Sequence, residues 1–136
     1  LHPNEKPVLD GYARDCAFFG MTPKETPEVD FWFGKEDLLI GDFSIQLVET
    51  PGHTPGGTCL IIKNHAFTGD TIFAGSVGRT DLPGGNWDTL SDSLVKAMKI
   101  IPDDNILHPG HGVDTTMAIE KKQNPFLIPL LNRVNS

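Results

Sequence analysis

Cationic residues are scarce in this 136-residue sequence: 11 Lys and Arg stand against 18 Asp and Glu, a formal charge of −7 at neutral pH. A nucleic-acid partner is therefore not expected, because neutralising phosphates takes clustered Lys and Arg. Long apolar runs are missing as well, and no stretch approaches the roughly 20 residues that span a bilayer. No basic-then-apolar leader opens the chain. The expectation is a cytoplasmic protein with neither membrane nor nucleic acid as partner. Cysteine is limited to Cys16 and Cys59, so at most one internal disulfide could form. Neither lies in a Cys-x-x-Cys pair or beside a histidine. Both sit among apolar neighbours, where a free thiol behaves as a small hydrophobe, and buried free thiols are expected. No methionine precedes Met21, and the chain opens Leu1-His2-Pro3-Asn4, so it reads as a piece of something longer.

What is present fits a single domain over residues 1–136. Its 38% hydrophobic and 21% charged residues are ordinary for a globular chain, and its length suits a modest core. Val8, Leu9, Tyr12, Cys16 and Phe19 recur at helical spacing, with Pro3 in the first turn, so residues 3–19 are predicted to be helical. Residues 21–30, with Pro23 and Pro27, read as a solvated loop. From Leu38 the period falls to two, and Phe43, Ile45 and Leu47 mark a half-buried strand. Residues 58–62 and 66–68 read as short strands joined at Lys63-Asn64. Residues 69–88 hold five glycines and little periodicity, and are expected to be one long loop. Leu90, Leu94, Ala97, Met98 and Ile101 form one apolar stripe on a helix over 89–101, stopped by Pro102. A strand over 105–108 and a last helix over 116–123 complete an α/β pattern.

Three polar residues stand in glycine-flanked positions at apparent strand ends: His53, Asp70 and His111. Glycine neighbours permit the sharp turns and close approach that aim side chains into a shared pocket. Histidine offers a neutral nitrogen to a borderline metal, and aspartate offers one or two anionic oxygens. A single carboxylate can bridge two cations. Spacings of 17 and 41 residues identify no metal site by themselves.

The words around these residues are more specific. Thr50-Pro51-Gly52-His53-Thr54-Pro55-Gly56, Thr68-Gly69-Asp70-Thr71, Gly78-Arg79-Thr80-Asp81 and Pro109-Gly110-His111-Gly112 occur in the order seen in metallo-β-lactamase-fold hydrolases. With the trailing Glu120-Lys121 and Asn124-Pro125-Phe126, the chain resembles the glyoxalase II-like branch from about His2 to Leu127. The resemblance implies an α/β (α+β) fold, an αββα sandwich of two sheets with helices outside, of which this chain matches the C-terminal half. It implies His53, Asp70 and His111 as metal ligands. In the family a His-x-His-x-Asp-His segment supplies four more: two of its histidines join the residue matching His53 on the first metal, and its Asp and last His join the residue matching His111 on the second. The residue matching Asp70 bridges the pair. That segment is not among these 136 residues, which hold three ligands of seven.

The activity implied is hydrolysis of a small ester or thioester through a metal-bound hydroxide. The cofactor would be two Zn²⁺ ions, with Fe or Mn possible, and Asp70 would be catalytic by holding the cations and orienting the nucleophile. A same-fold alternative is persulfide dioxygenase, which uses one iron held by two histidines and the aspartate and also carries a Gly-Arg-Thr-Asp loop. That loop usually continues with Phe, whereas Leu82 stands here, which favours the hydrolase. A third reading is an inactive half-domain that pairs through an uncovered sheet face, with a missing N-terminal half or with a second copy. This chain alone is expected to be inactive.

Further residues receive structural readings. Arg79 and Asp81 are expected to hold the loop through hydrogen bonds rather than clamp an anion, with residues 76–81 as one wall of the substrate pocket. His108 is expected to be structural, or to support a ligand from behind; His65 to be solvated in a hairpin turn; His2 not to be a ligand. Trp87 is expected to act as a packing staple on the Leu94 side, and Phe31 and Trp32 to cap the sheet.

Overall fold

The computed structural model describes residues 1–136. A 3-10 turn, Pro3–Glu5, leads into two short helices, α1 (Lys6–Asp10) and α2 (Tyr12–Phe18). The single helix predicted over 3–19 is thus broken. Gly11, with φ −82° and ψ −2°, closes α1 and opens α2. Of the predicted stripe only Cys16 is buried, while Phe18 and Phe19 lie exposed and meet edge to face at 5.1 Å.

The strands are β1 (Leu38–Ile40), β2 (Phe43–Glu49), β3 (Thr58–Ile62), β4 (His65–Gly69), β5 (Ile72–Phe73), β6 (Ser76–Val77), β7 (Ile106–Pro109) and β8 (Thr115–Thr116). Six form one sheet in the order β1-β2-β3-β4-β7-β8, and β5 and β6 pair separately. Every neighbouring pair is antiparallel except β4 and β7, which run parallel. The crossover between them carries α3 (Trp87–Ile100). After β8 come α4 (Met117–Gln123), a 3-10 turn and α5 (Leu131–Val134). No helix is long and apolar enough to cross a membrane.

Helix α3 starts where Asn86 accepts the Thr89 N–H through its side chain at 2.9 Å, a cap that satisfies one orphan donor. It ends as Ile101 N–H returns to Ala97 O ahead of Pro102. Leu90, Leu94, Ala97, Met98 and Ile101 are all nearly inaccessible. They pack with Val48, Cys59, Ile61, Ala66 and Leu107 from one face of the sheet, and with Met117 and Leu127, in one contiguous core of 14 buried residues. Each such aliphatic side chain stabilises the fold by about 1.5–3 kcal/mol.

Alternation places the opposite set on the other face. Leu47, Leu60, Phe67 and His108 lie in one cross-strand row. Phe43 and Phe67 there remain exposed, as do Leu39 and Ile40 at the β1 end. The N-terminal segment meets this sheet along β2. His2 Nε2 lies 2.9 Å from Glu49 Oε1, and Asp37 accepts from Leu47 N. Phe31 and Trp32, expected to cap the sheet, are exposed instead, at 61% and 39%.

The predicted long loop over 69–88 contains the small β5–β6 hairpin. Ile72 and Val77 face each other across it, and both are buried in the main core. Two residues per strand are too few for a visible period of two, which is why periodicity missed it.

Candidate metal centre

Three loops carry the residues singled out above, and main-chain hydrogen bonds hold each one. After β2, Thr50 N donates to Gly57 O at 2.7 Å and closes the His53 loop. The same loop is fastened to α3: Asn86 N donates to Gly52 O, and Ser93 Oγ donates to Pro51 O at 2.6 Å. Gly52 sits at φ +135°, and a Cβ there would collide with the Leu90 backbone. After β4, Thr71 N returns to Thr68 O, and the Thr71 hydroxyl meets that of Thr50 at 3.2 Å, tying the Asp70 turn to the His53 loop. After β7, Gly110 N donates to Gly69 O at 2.8 Å. Parallel strands share a carboxyl end, so Asp70 and His111 leave the sheet side by side.

The structure brings the three side chains together around Asp70. His111 Nδ1 lies 2.9 Å from Asp70 Oδ1, and His53 Nε2 lies 3.5 Å from Asp70 Oδ2. One carboxylate therefore turns one oxygen to each imidazole. His53 Nδ1 lies 2.7 Å from Arg79 O. A carbonyl only accepts, so Nδ1 donates to it, and in the neutral ring this leaves Nε2 to offer a lone pair towards Asp70. Two electron-pair donors facing each other favour positive charge between them. Bonds of about 2.1 Å to one tetrahedral cation would place such a nitrogen and oxygen about 3.4 Å apart, close to the separation observed. The donor set therefore fits a metal ion on the His53 side of Asp70. It does not finish one: within these 136 residues no three His, Cys, Asp or Glu side chains form a complete cation-binding group.

The glycines keep this space small. A Cβ on Gly110 would stand 2.5 Å from Asp70 Oδ1, and one on Gly78 would meet the Asp70 carbonyl and lie 2.9 Å from His53 Cβ. Both positions need a bare backbone against the carboxylate or the imidazole.

Arg79 and Asp81 form a bidentate pair, with Nε and Nη2 each 2.7 Å from a carboxylate oxygen. The guanidinium fork is thereby taken within the loop. What the sequence did not reveal is that the Arg79 main-chain carbonyl orients His53. The hydrogen bond from Arg79 holds the Asp81 carboxyl down at about 2, below its ordinary 3.8. A depressed carboxyl contributes stability above its unfolded value and loses it as pH falls through the folded one. The clamp is expected to stay closed at pH 4 and to open as pH drops towards 2, read from the Asp81 carboxyl carbon by NMR. Both side chains are largely exposed, so salt is expected to weaken it. An apparent Asp81 value near 4 would contradict this geometry.

The remaining histidines lie elsewhere. His65 is at the start of β4 rather than in a turn, and its Nδ1 is 2.8 Å from His108 Nε2. His108 Nδ1 meets Asp114 at 3.0 Å. His108 thus supports neither His53 nor His111. Trp87 is half-exposed and packs edge-on against Phe126 at 6.2 Å.

A profile of the metallo-β-lactamase superfamily matches residues 2–111. Over 127 residues the chain is 41% identical to hydroxyacylglutathione hydrolase GloC of Haemophilus influenzae, covering 90% of this chain and 60% of that protein. Over 131 residues it is 40% identical to the probable metallo-hydrolase YqgX of Bacillus subtilis, covering 93% and 62%. The solved structure of TTHA1623 in a di-iron-bound form superposes with a TM-score of 0.83 at 34% identity, covering 93% of this chain and 63% of that one. The chain belongs to the metallo-β-lactamase superfamily, a superfamily of metal-dependent hydrolases, and adopts the corresponding part of its fold. It spans about three-fifths of the length of the curated relatives it matches.

Proposed function

We propose that this chain supplies the bridging side of a metal-dependent hydrolase centre that cleaves a small ester or thioester. The observation that carries the reading is His53 Nε2 facing one oxygen of Asp70 while His111 Nδ1 meets the other. In this reading His53 and His111 each anchor one cation, and Asp70 is shared. Neutral imidazoles and a carboxylate suit Zn²⁺, and also Fe or Mn. The likeness to a di-iron-bound protein supports a first-row pair. Bound there, such ions supply Lewis acidity and bring the pKa of water to about 7.

The chain's own residues prepare the site. Arg79 O holds the His53 ring through Nδ1, Asp70 would be shared by ions held there, and the Gly78–Asp81 loop would form a wall beside them. Cys16 and Cys59 are both buried free thiols. Cys59 is fully buried, and burial pushes its thiol up, so it stays protonated. The likeness to a hydroxyacylglutathione hydrolase favours an acyl-glutathione thioester as substrate.

The test is an assay of the protein at its native length. Zinc-loaded protein is expected to release free thiol from a glutathione thioester without consuming oxygen. Oxygen uptake with glutathione persulfide, dependent on iron, would overturn the hydrolase in favour of the dioxygenase. Neither activity, with no metal retained, would leave the reading without support.

A further inference from the structure

We propose that Glu120 and Asn124 are positioning residues for this centre, acting through the β5–β6 hairpin; the proposal rests on reading His53, Asp70 and His111 as ligands. Two residues per strand cannot hold a hairpin in place. Its main chain is instead held from α4 and the residue after it. Gly75 N donates to Glu120 Oε2 at 2.9 Å, and Asn124 Nδ2 donates to Ser76 O at 3.0 Å, with Phe73 O a longer neighbour at 3.4 Å. Asn124 Nδ2 also donates to Glu120 Oε2 at 2.8 Å, Thr115 Oγ1 donates to Glu120 Oε1 at 2.8 Å, and Phe126 N donates to Asn124 Oδ1. Glu120 is 2% exposed and Asn124 not at all. A buried carboxylate is costly unless its lone pairs are met by donors. Here three donors meet it, and the fold commits a buried side-chain network to a hairpin of four paired residues.

That hairpin reaches all three ligand positions. Phe73 stands edge-on to His111, with ring centres 5.8 Å apart. The His111 side chain is 77% exposed, and the Phe73 ring and the Asp70 carboxylate are the neighbours it packs against. Directly after β6, Gly78 N donates to Thr71 O beside Asp70, and Arg79 O receives the His53 proton. A displacement of Gly75 or Ser76 would therefore be felt at His53, Asp70 and His111 together. Residues that support ligands in this way are typically worth about 10–100-fold in metal affinity.

Co²⁺ binding by the protein at its native length, followed by visible absorption, tests this. Glu120→Ala is expected to weaken Co²⁺ binding about 10–100-fold, to alter the band intensities, and to speed amide exchange at Gly75. Glu120→Gln keeps an acceptor for Gly75 and Asn124 and is expected to stay within about threefold. Phe73→Ala spares the buried network and is expected to weaken binding in the same direction, so it decides the matter should Glu120→Ala fail to fold. Faster Gly75 exchange in Glu120→Ala with unchanged Co²⁺ affinity and spectrum would reduce the network to a structural role and overturn the proposal. Unchanged binding in Phe73→Ala would do the same. Failure of the underlying reading looks different: Asp70→Asn would then bind Co²⁺ as well as the parent.

Discussion

In the protein at its native length, Asp70→Asn is expected to abolish stoichiometric metal retention, a loss larger than the roughly 10–100-fold typical of a supporting residue. The substitution keeps size and shape but removes the anion. An amide offers one oxygen where two are needed, and it turns an N–H group towards either His53 or His111. The fold should hardly notice. Asp70 is one-third exposed, and its contacts are to imidazoles at the surface, where such pairs contribute little. The metal-free melting temperature is therefore expected to stay within a few degrees of the parent. Elemental analysis after dialysis, set beside a thermal melt, makes the test. A variant that keeps its metal, or one that unfolds, would remove Asp70 from the role assigned to it.

The second large effect is one of backbone. Gly52→Ala is expected to destabilise the protein by about 3–5 kcal/mol, combining left-handed strain with steric overpacking. At φ +135° an L side chain is already strained, and the new Cβ would drive into the Leu90 main chain at the start of α3. Relief requires moving the His53 loop off the helix and breaking the Asn86-to-Gly52 and Ser93-to-Pro51 hydrogen bonds. Gly20 supplies the control. It too has positive φ, at +68°, but open space surrounds it, so Gly20→Ala should cost only about 1 kcal/mol. Urea denaturation of the two variants measures the difference. Equal losses would mean that the His53 loop is not packed on α3 as described.

Much of this was legible in the sequence where local chemistry acts alone. The α3 stripe from Leu90 to Ile101 needed only its own period and Pro102. The glycine-flanked words around His53, Asp70 and His111 marked loop positions that do converge on Asp70. What was hidden depends on contacts distant in sequence. Gly11 is a weak helix former, but only the absence of burial along the expected stripe, of which Cys16 alone is buried, shows that the helix breaks there. The Arg79 carbonyl has no side-chain signature, since any residue could offer it. His65 and His108 are 43 residues apart, and only the parallel register of β4 and β7 makes them partners. Glu120 and Asn124 were visible as part of a motif, but their link to Gly75 and Ser76 emerges only when the hairpin folds back on α4.

The single parallel junction in the sheet has a consequence for how the centre survives damage. In a purely antiparallel meander, consecutive strands finish at opposite rims, and Asp70 could never neighbour His111. Bringing both to one rim requires the chain to depart and return, and α3 is that return path. The helix that fills the core is thus also the spacer that sets the donor geometry. Loosening its packing should erode cation retention and unfolding resistance in step, as one cooperative unit, rather than one before the other.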